Sequence, residues 1–381
     1  MRKIHPVIWL GIVIVLLLLG TRLTPEVRNE PANAPTPPNP DLYTERSYTW
    51  ETTVLATKLD IPWDLAILPD QSLLITERPG AVKRWDPKGL TTVGTIPVAT
   101  VSESGLTGIA LHPKFADNKL LYLYFTYRTG GELKNKVVRY RYENSSLKEE
   151  KTILDNLAGG QIHNGGRLRF GPDGKLYVLT GDAARPALAQ DPQRLEGKIL
   201  RMNDDGSVPN DNPTSGSLVY TLGHRNPQGL SWHTLTEEML ATEHGETAND
   251  EVNLIEPAKN YGWPTARRGA RDHSGFVAPL LGSGDETWAP SGIDFLGLKN
   301  WDWRNTAIFA GLRSKKLQKI EVIDGKIASQ EVLIDGQYGR LRAVVARGDG
   351  AVYVTTSNRD GRADPQPEDD RLLLVTPRVK K

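Results

Sequence analysis

One phrase returns six times along this chain: a short apolar strand, a turn rich in Pro, Asp, Gly or Asn, and a second apolar strand. It occupies residues 61–77, 106–125, 166–182, 228–243, 292–311 and 341–356. Several copies carry a trailing strand, at 81–85, 136–142, 198–202, 316–322 and 371–376. A chain built from repeated small antiparallel sheets cannot bury any one of them alone. Stacking them around an axis gives each sheet two neighbours, and that is a β-propeller. The expected fold is therefore all-β, a six-bladed propeller with four-stranded antiparallel blades. A pair of β-sandwich domains would use the same strands but would not explain why the same hairpin phrase recurs. In a propeller, function is drawn to one face, where loops between strands build a pocket over the central channel.

The first forty residues read differently. Arg2 and Lys3 precede an apolar run over residues 4–20, and prolines follow at positions 25, 31, 35, 37, 38 and 40. A basic start with such a run is a signal peptide or an N-terminal membrane anchor, expected over residues 1–23. Residues 24–42 read as an extended Pro-rich linker, and residues 43–381 as the propeller. Either form of the leader exports the domain, to the periplasm or the outside of the cell, with membrane attachment if the segment is retained.

Composition narrows the chemistry. A formal net charge of +1 argues against nucleic acid as a partner, since phosphate binding needs clustered basic charge. There is no cysteine, so disulfides, thiolate metal sites and a cysteine nucleophile are excluded. A metal would be held by oxygen or imidazole, which leans toward calcium or magnesium.

Polar residues gather where the repeat predicts the lips of the blades. His163 sits in residues 160–167, Gly-Gln-Ile-His-Asn-Gly-Gly-Arg, a loop too rich in glycine for helix. It is either a structural histidine or one that reaches a ligand. Residues 221–230, Thr-Leu-Gly-His-Arg-Asn-Pro-Gln-Gly-Leu, place Arg225 and Asn226 just before an inner strand. They could fix a carbonyl-rich or anionic ligand, or satisfy buried backbone. Arg340 and Arg342 alternate onto one face at the head of the sixth copy. Two arginines in a channel need an anion between them; on a solvent face they would pair with nearby Asp. Arg313 is expected at the matching place in the fifth copy, and Glu103 before the second. Residues 243–253, Glu-His-Gly-Glu-Thr-Ala-Asn-Asp-Glu-Val-Asn, read as an irregular loop of carboxylates, amides and carbonyls. Such a loop suits calcium, or is a solvated acidic loop.

Taken in this order, the phrases resemble the soluble pyrroloquinoline quinone (PQQ)-dependent sugar dehydrogenases, the glucose/sorbosone and aldose sugar dehydrogenases. The resemblance runs from about Ile61 to Pro377. It rests on His-Asn-Gly-Gly-Arg-Leu with Gly-Pro-Asp-Gly-Lys-Leu-Tyr, on Gly-Lys-Ile-Leu-Arg, and on Leu-Gly-His-Arg-Asn-Pro-Gln-Gly-Leu. Asp-Glu-Val-Asn-Leu-Ile with Asn-Tyr-Gly-Trp-Pro completes it. It implies a six-bladed propeller that oxidises aldoses to lactones and passes electrons to a quinone or cytochrome. His163 would be the general base, with hydride passing from the sugar to PQQ, and Arg225 would stabilise charge growing on the quinone oxygen. The resemblance further implies cofactor binding by Glu103, His163, Arg225, Asn226, Arg313, Arg340 and Arg342. One calcium would bind carbonyls at Gly245 and Glu246, and a second would use Glu251 and the carbonyl of Tyr261.

The chain departs from that family in places. Glu103 stands where its best-known members have Gln, and a carboxylate facing those of PQQ is unfavourable unless shielded or protonated. Arg313 replaces a common lysine, and Ile162 stands where glucose-active members have Asp. The segment 265–273 lacks an aromatic that covers the cofactor in some relatives. Two other functions fit a secreted propeller. A calcium-dependent lactonase-like hydrolase would need carboxylate and amide ligands converging on the axis. A non-catalytic carbohydrate-binding propeller would leave His163 and the arginines without a common ligand.

Overall fold

The computed structural model describes residues 46–266, 275–297 and 301–380. The expected leader (1–23) and linker (24–42) lie outside the described residues, as does most of the 265–273 segment. Within them, twenty-four strands form six four-stranded antiparallel sheets, as the repeat predicts. Each repeated hairpin supplies the two inner strands of one blade. Blade 1 begins with Pro62–Ile67 and Leu73–Glu77, blade 2 with Leu106–Leu111 and Leu120–Thr129, and blade 3 with Leu168–Phe170 and Leu176–Thr180. Blade 4 begins with Pro227–Trp232 and Met239–Glu243, blade 5 with Pro290–Phe295 and Thr306–Gly311, and blade 6 with Leu341–Ala346 and Val352–Thr356. Each innermost strand packs against those of the two neighbouring blades, which closes the ring.

The second strand of most blades is buried at every position, because neighbouring blades cover both of its faces. That explains the continuous apolar runs in the sequence, in place of the alternation seen when one face meets water. Six apolar clusters fill the six gaps between adjacent blades. The gap between blades 1 and 2, for example, holds Leu74, Val82, Leu106, Ile109, Leu121 and Phe125. The core is thus a ring of interfaces rather than one centre.

Two features were not legible in the repeat. The strand Tyr48–Ala56 is the outermost strand of blade 6, pairing antiparallel with Leu372–Val379. The ring is therefore closed by hydrogen bonds between the two ends of the domain. The stretch read as an irregular loop over 243–253 is a loop only from 244 to 250, and Glu251–Ile255 is the third strand of blade 4. Its register with Met239–Glu243 places Glu251 directly opposite Glu243.

Candidate active site

Every blade begins and ends its first hairpin at the same face, since the second strand returns antiparallel to the first. Residues just before an inner strand and just after its partner therefore share that face. His163 precedes the inner strand of blade 3, and Asp182 follows the partner strand. Imidazole Nδ1 lies 2.8 Å from Asp182 Oδ1. Asp182 is fully buried and also accepts from the Ala184 N–H and from Trp263 Nε1–H at 2.8 Å. A carboxylate that accepts on both oxygens fixes the tautomer, so Nδ1 carries the hydrogen and Nε2 keeps its lone pair for a substrate. Local backbone supports the pose: His163 is left-handed at φ 58°, and a Cβ on Gly181 would fall 2.0 Å from the His163 carbonyl oxygen. Only glycine at position 181 lets the two loops touch.

Arg225 and Asn226 lead into blade 4. The Asn226 carboxamide oxygen accepts from the Gly165 N–H at 3.1 Å, joining this loop to the histidine loop, while Nδ2 is buried without a partner. The Arg225 backbone N–H donates to Glu243, and its guanidinium lies 5.3 Å from the Trp263 ring. Arg225 Nε is also buried and unpartnered, and burial pulls this guanidinium below its ordinary range. His244, the first residue of the 244–250 loop, has an unpartnered buried Nε2, and burial pushes its imidazole down to about 4. Its charged neighbours are Asp250, Glu103, Arg342 and Arg225. Buried polar groups are rarely left unpaired without reason. Asn226 Nδ2 and Arg225 Nε are both donors, which suits a ligand rich in acceptors.

The opposite side of the face is a cluster of arginines. Arg340 donates from Nε and Nη2 to Asp360 Oδ2 at 3.0 and 2.8 Å, and from Nη1 to the Leu312 carbonyl. Arg342 lies 3.8 Å from the same carboxylate and donates to Ser357 and Gln228. Alternation does bring both arginines to one place, and an anion does lie between them. It is Asp360 of the chain itself. Arg78, which follows the second strand of blade 1, joins the group: it is 8% exposed, with Nε unpartnered, and Asp360, Glu103, Arg362 and Asp60 are its charged neighbours. Asp360, Glu103 and Asp60 are outnumbered by Arg78, Arg340, Arg342 and Arg362, and burial pulls Arg342 down to about 9. An anionic ligand would relieve that surplus.

Arg313 does not sit at the head of blade 5. It follows the partner strand Thr306–Gly311, and the antiparallel return brings it to the same face. There it lines a cavity of about 400 Å³ together with Arg340, Arg362, Asn358, Asp364 and Gln366. Glu103 does precede blade 2. One carboxylate oxygen accepts from the His163 N–H at 3.1 Å, and the other pairs with Arg362 at 2.7 Å. Burial works to raise its carboxyl, but the Arg362 guanidinium and the His163 N–H hold the group below the ordinary range, so Glu103 is ionised and shielded.

The proposed calcium ligands fall in two places. In the 244–250 loop the Gly245 N–H donates to Asp250, whose other oxygen accepts from Trp288 and Ala289. A Cβ on Gly245 would lie 2.0 Å from the Ala248 carbonyl oxygen, so this tight loop requires glycine. Among the described residues no hydrogen bond reaches the Gly245 or Glu246 carbonyls. At the second place, burial and the charge of Glu243 push Glu251 up to about 8. The Tyr261 hydroxyl donates to the Leu254 carbonyl and accepts from the Glu256 N–H, pinning that segment to blade 4. A cation would relieve the opposed carboxylates as well as a proton does. Among the described residues no three His, Asp or Glu side chains form a metal cluster, so both positions depend on carbonyls.

Sequence reasoning missed Asp182, Trp263, His244, Asp360, Arg78 and Arg362 as site residues. Asp182 and Trp263 lie within the repeat and the Asn-Tyr-Gly-Trp-Pro motif, but only the fold brings them to His163. Arg362 belongs to a loop without any repeat signature.

Residues 59–373 match the glucose/sorbosone dehydrogenase family. The chain is 32% identical to the aldose sugar dehydrogenase YliI of Escherichia coli over 85% of this chain and 92% of that one. It is 35% identical to quinoprotein glucose dehydrogenase B of Acinetobacter calcoaceticus, over 61% and 56% respectively. Among solved structures, the PQQ-bound aldose sugar dehydrogenase of Streptomyces coelicolor superposes with a TM-score of 0.80 at 37% identity, covering 87% of this chain and all of that one. The chain belongs to the glucose/sorbosone dehydrogenase family.

Proposed function

We propose that this sugar dehydrogenase oxidises aldoses to lactones with PQQ and calcium, using His163 as the base. The observation that carries the reading is the pairing of a tautomer-locked imidazole with a surplus of buried guanidinium groups on one propeller face. PQQ supplies a quinone that accepts hydride, and calcium a Lewis acid beside it. Asn226 Nδ2, Arg225, Arg342, Arg340 and Arg313 are donors suited to its carboxylates and quinone oxygens. The carbonyls of Gly245 and Glu246 would hold the first calcium, and Glu251 with the Tyr261 carbonyl the second.

His163 Nε2 takes the proton from the sugar hydroxyl as the carbon–hydrogen bond breaks. The positive charge that appears on the imidazole is met by Asp182, which is already in place and needs no reorganisation. Arg225 is fixed by its backbone bond to Glu243 and aimed by the Trp263 ring, so its unpartnered Nε can meet negative charge as it develops. The hydrolase alternative needs carboxylates converging on the channel; guanidinium groups gather there instead.

The test is dye-linked oxidation of a panel of aldoses by the purified protein, with and without PQQ and calcium. Activity that needs both supports the reading. Activity independent of PQQ, or none with both present, overturns it. Export, with or without retention at the membrane, remains part of the proposal and rests on residues 1–23 alone.

A further inference from the structure

The ion pair between Arg362 and Glu103 links two blades that are not neighbours in sequence. Arg362 lies in the loop after the partner strand of blade 6, and Glu103 in the lead-in to blade 2. Asp360 organises the loop: Oδ1 accepts from the Arg362 backbone N–H at 3.0 Å, while Oδ2 holds Arg340. The turn that seats Arg340 therefore also aims Arg362. The guanidinium lines the same cavity as Arg313 and Arg340 and reaches Glu103 Oε1 at 2.7 Å. Glu103 Oε2 meanwhile accepts from the His163 N–H.

As a stabilising contact this pair is weak. The Arg362 side chain is 50% exposed, and ion pairs open to solvent add little to stability. The His163 N–H would be equally served by the oxygen of a glutamine. Stability thus accounts for neither the charge on Glu103 nor the arginine set against it. The charge matters for what enters the site. Arg362, which holds Glu103, lines the cavity it shares with Arg340, so the carboxylate stands beside any polyanion bound there.

We infer that Arg362 is a working part of the cofactor site. It offsets Glu103 so that a polycarboxylate meets a neutral blade 2 lead-in, and through Glu103 it positions the backbone of His163. The inference rests on the PQQ reading above. Glu103 and Arg362 act as one unit, so Glu103 without Arg362 is worse for an anion than both or neither.

The experiment is a titration of wild type, Arg362→Gln, Glu103→Gln and the double variant with PQQ in saturating calcium. Binding is followed by quenching of tryptophan fluorescence, and melting temperature is recorded for each protein. Arg362→Gln is expected to weaken PQQ binding at least about tenfold, because it leaves an uncompensated carboxylate near the anion. Its melting temperature should stay close to wild type. Adding Glu103→Gln to it should restore affinity to within about threefold of wild type, the coupling expected of a pair in contact. Arg362→Gln binding within about twofold of wild type, or a double variant as weak as Arg362→Gln, overturns the inference and leaves the PQQ reading standing. A wild type that binds no PQQ overturns both.

Discussion

The two sides of the ligand face are built on opposite principles. Around His163, Asp182, Asn226 and Trp263, hydrogen bonds between short loops lock each group in one orientation, and only a few donors are left over. Around Arg78, Arg340, Arg342 and Arg362, charge is oversupplied and Asp360 and Glu103 only partly answer it. The first side fixes geometry; the second stores attraction for an anion. A protein that must hold a polyanionic cofactor and move a proton beside it needs both. Glu103 is the joint between the sides, touching the His163 backbone with one oxygen and Arg362 with the other.

That division can be broken at either side. His163→Gln should lower turnover by roughly a thousandfold, within the range for loss of a positioned base, while PQQ affinity measured by fluorescence titration stays near wild type. A matching fall in affinity would show that the two sides are not separable. Replacing Arg340 and Arg342 together with Ala should weaken PQQ binding by about a hundredfold or more, since each charged hydrogen bond is worth roughly 1.5–3 kcal/mol. Turnover at saturating PQQ should fall much less, and the dissociation constant and the saturated rate separate the two effects. Asp182→Asn should also lower turnover, through a mis-set imidazole tautomer, again with affinity kept; a saturated rate equal to wild type would remove Asp182 from that role.

Smaller effects sharpen the picture. Calcium should raise the melting temperature of wild type by roughly 3–6 °C at concentrations far above its dissociation constant, and Glu251→Gln should reduce that gain. An equal gain in the variant would remove Glu251 from the second calcium site. The smallest expected effect concerns pH. The folded Glu103 carboxyl lies below its ordinary value of 4.5. Its pairing therefore contributes stability above about pH 4.5 that is lost as pH falls through the lower folded value. The slight difference in melting temperature between wild type and Arg362→Gln should close on acidification; a difference that widens would reverse the sign of the linkage.

Most of the blade architecture was legible in the sequence because the inner hairpins are buried on both faces, and burial leaves a strong apolar signature. The outer strand Tyr48–Ala56 was not, since four of its nine residues are exposed and its partner lies at the other end of the chain. Glu251–Ile255 was hidden by its polar residues, Glu251 and Asn253, which made a strand look like a loop. At the site, residues inside dense motifs, His163, Arg225, Asn226, Arg340 and Arg342, stood out. Asp182 and Trp263 are joined only through folding, across 81 positions of sequence. Arg362 reaches Glu103 across the ring, and no local pattern marks such a pair. The oddity that could have found it was Glu103 itself, an acid where the resemblance implies an amide.

The most direct measurement is a single turnover: an aldose mixed rapidly and without oxygen into protein loaded with PQQ and calcium, with the cofactor spectrum followed in time. Hydride transfer assisted by His163 predicts reduction of the bound cofactor at one equivalent per site, slower with an aldose deuterated at the anomeric carbon. The same loaded His163→Gln protein should be reduced far more slowly. Bound PQQ that no aldose reduces, or a His163→Gln protein reduced as fast as wild type, would contradict the account.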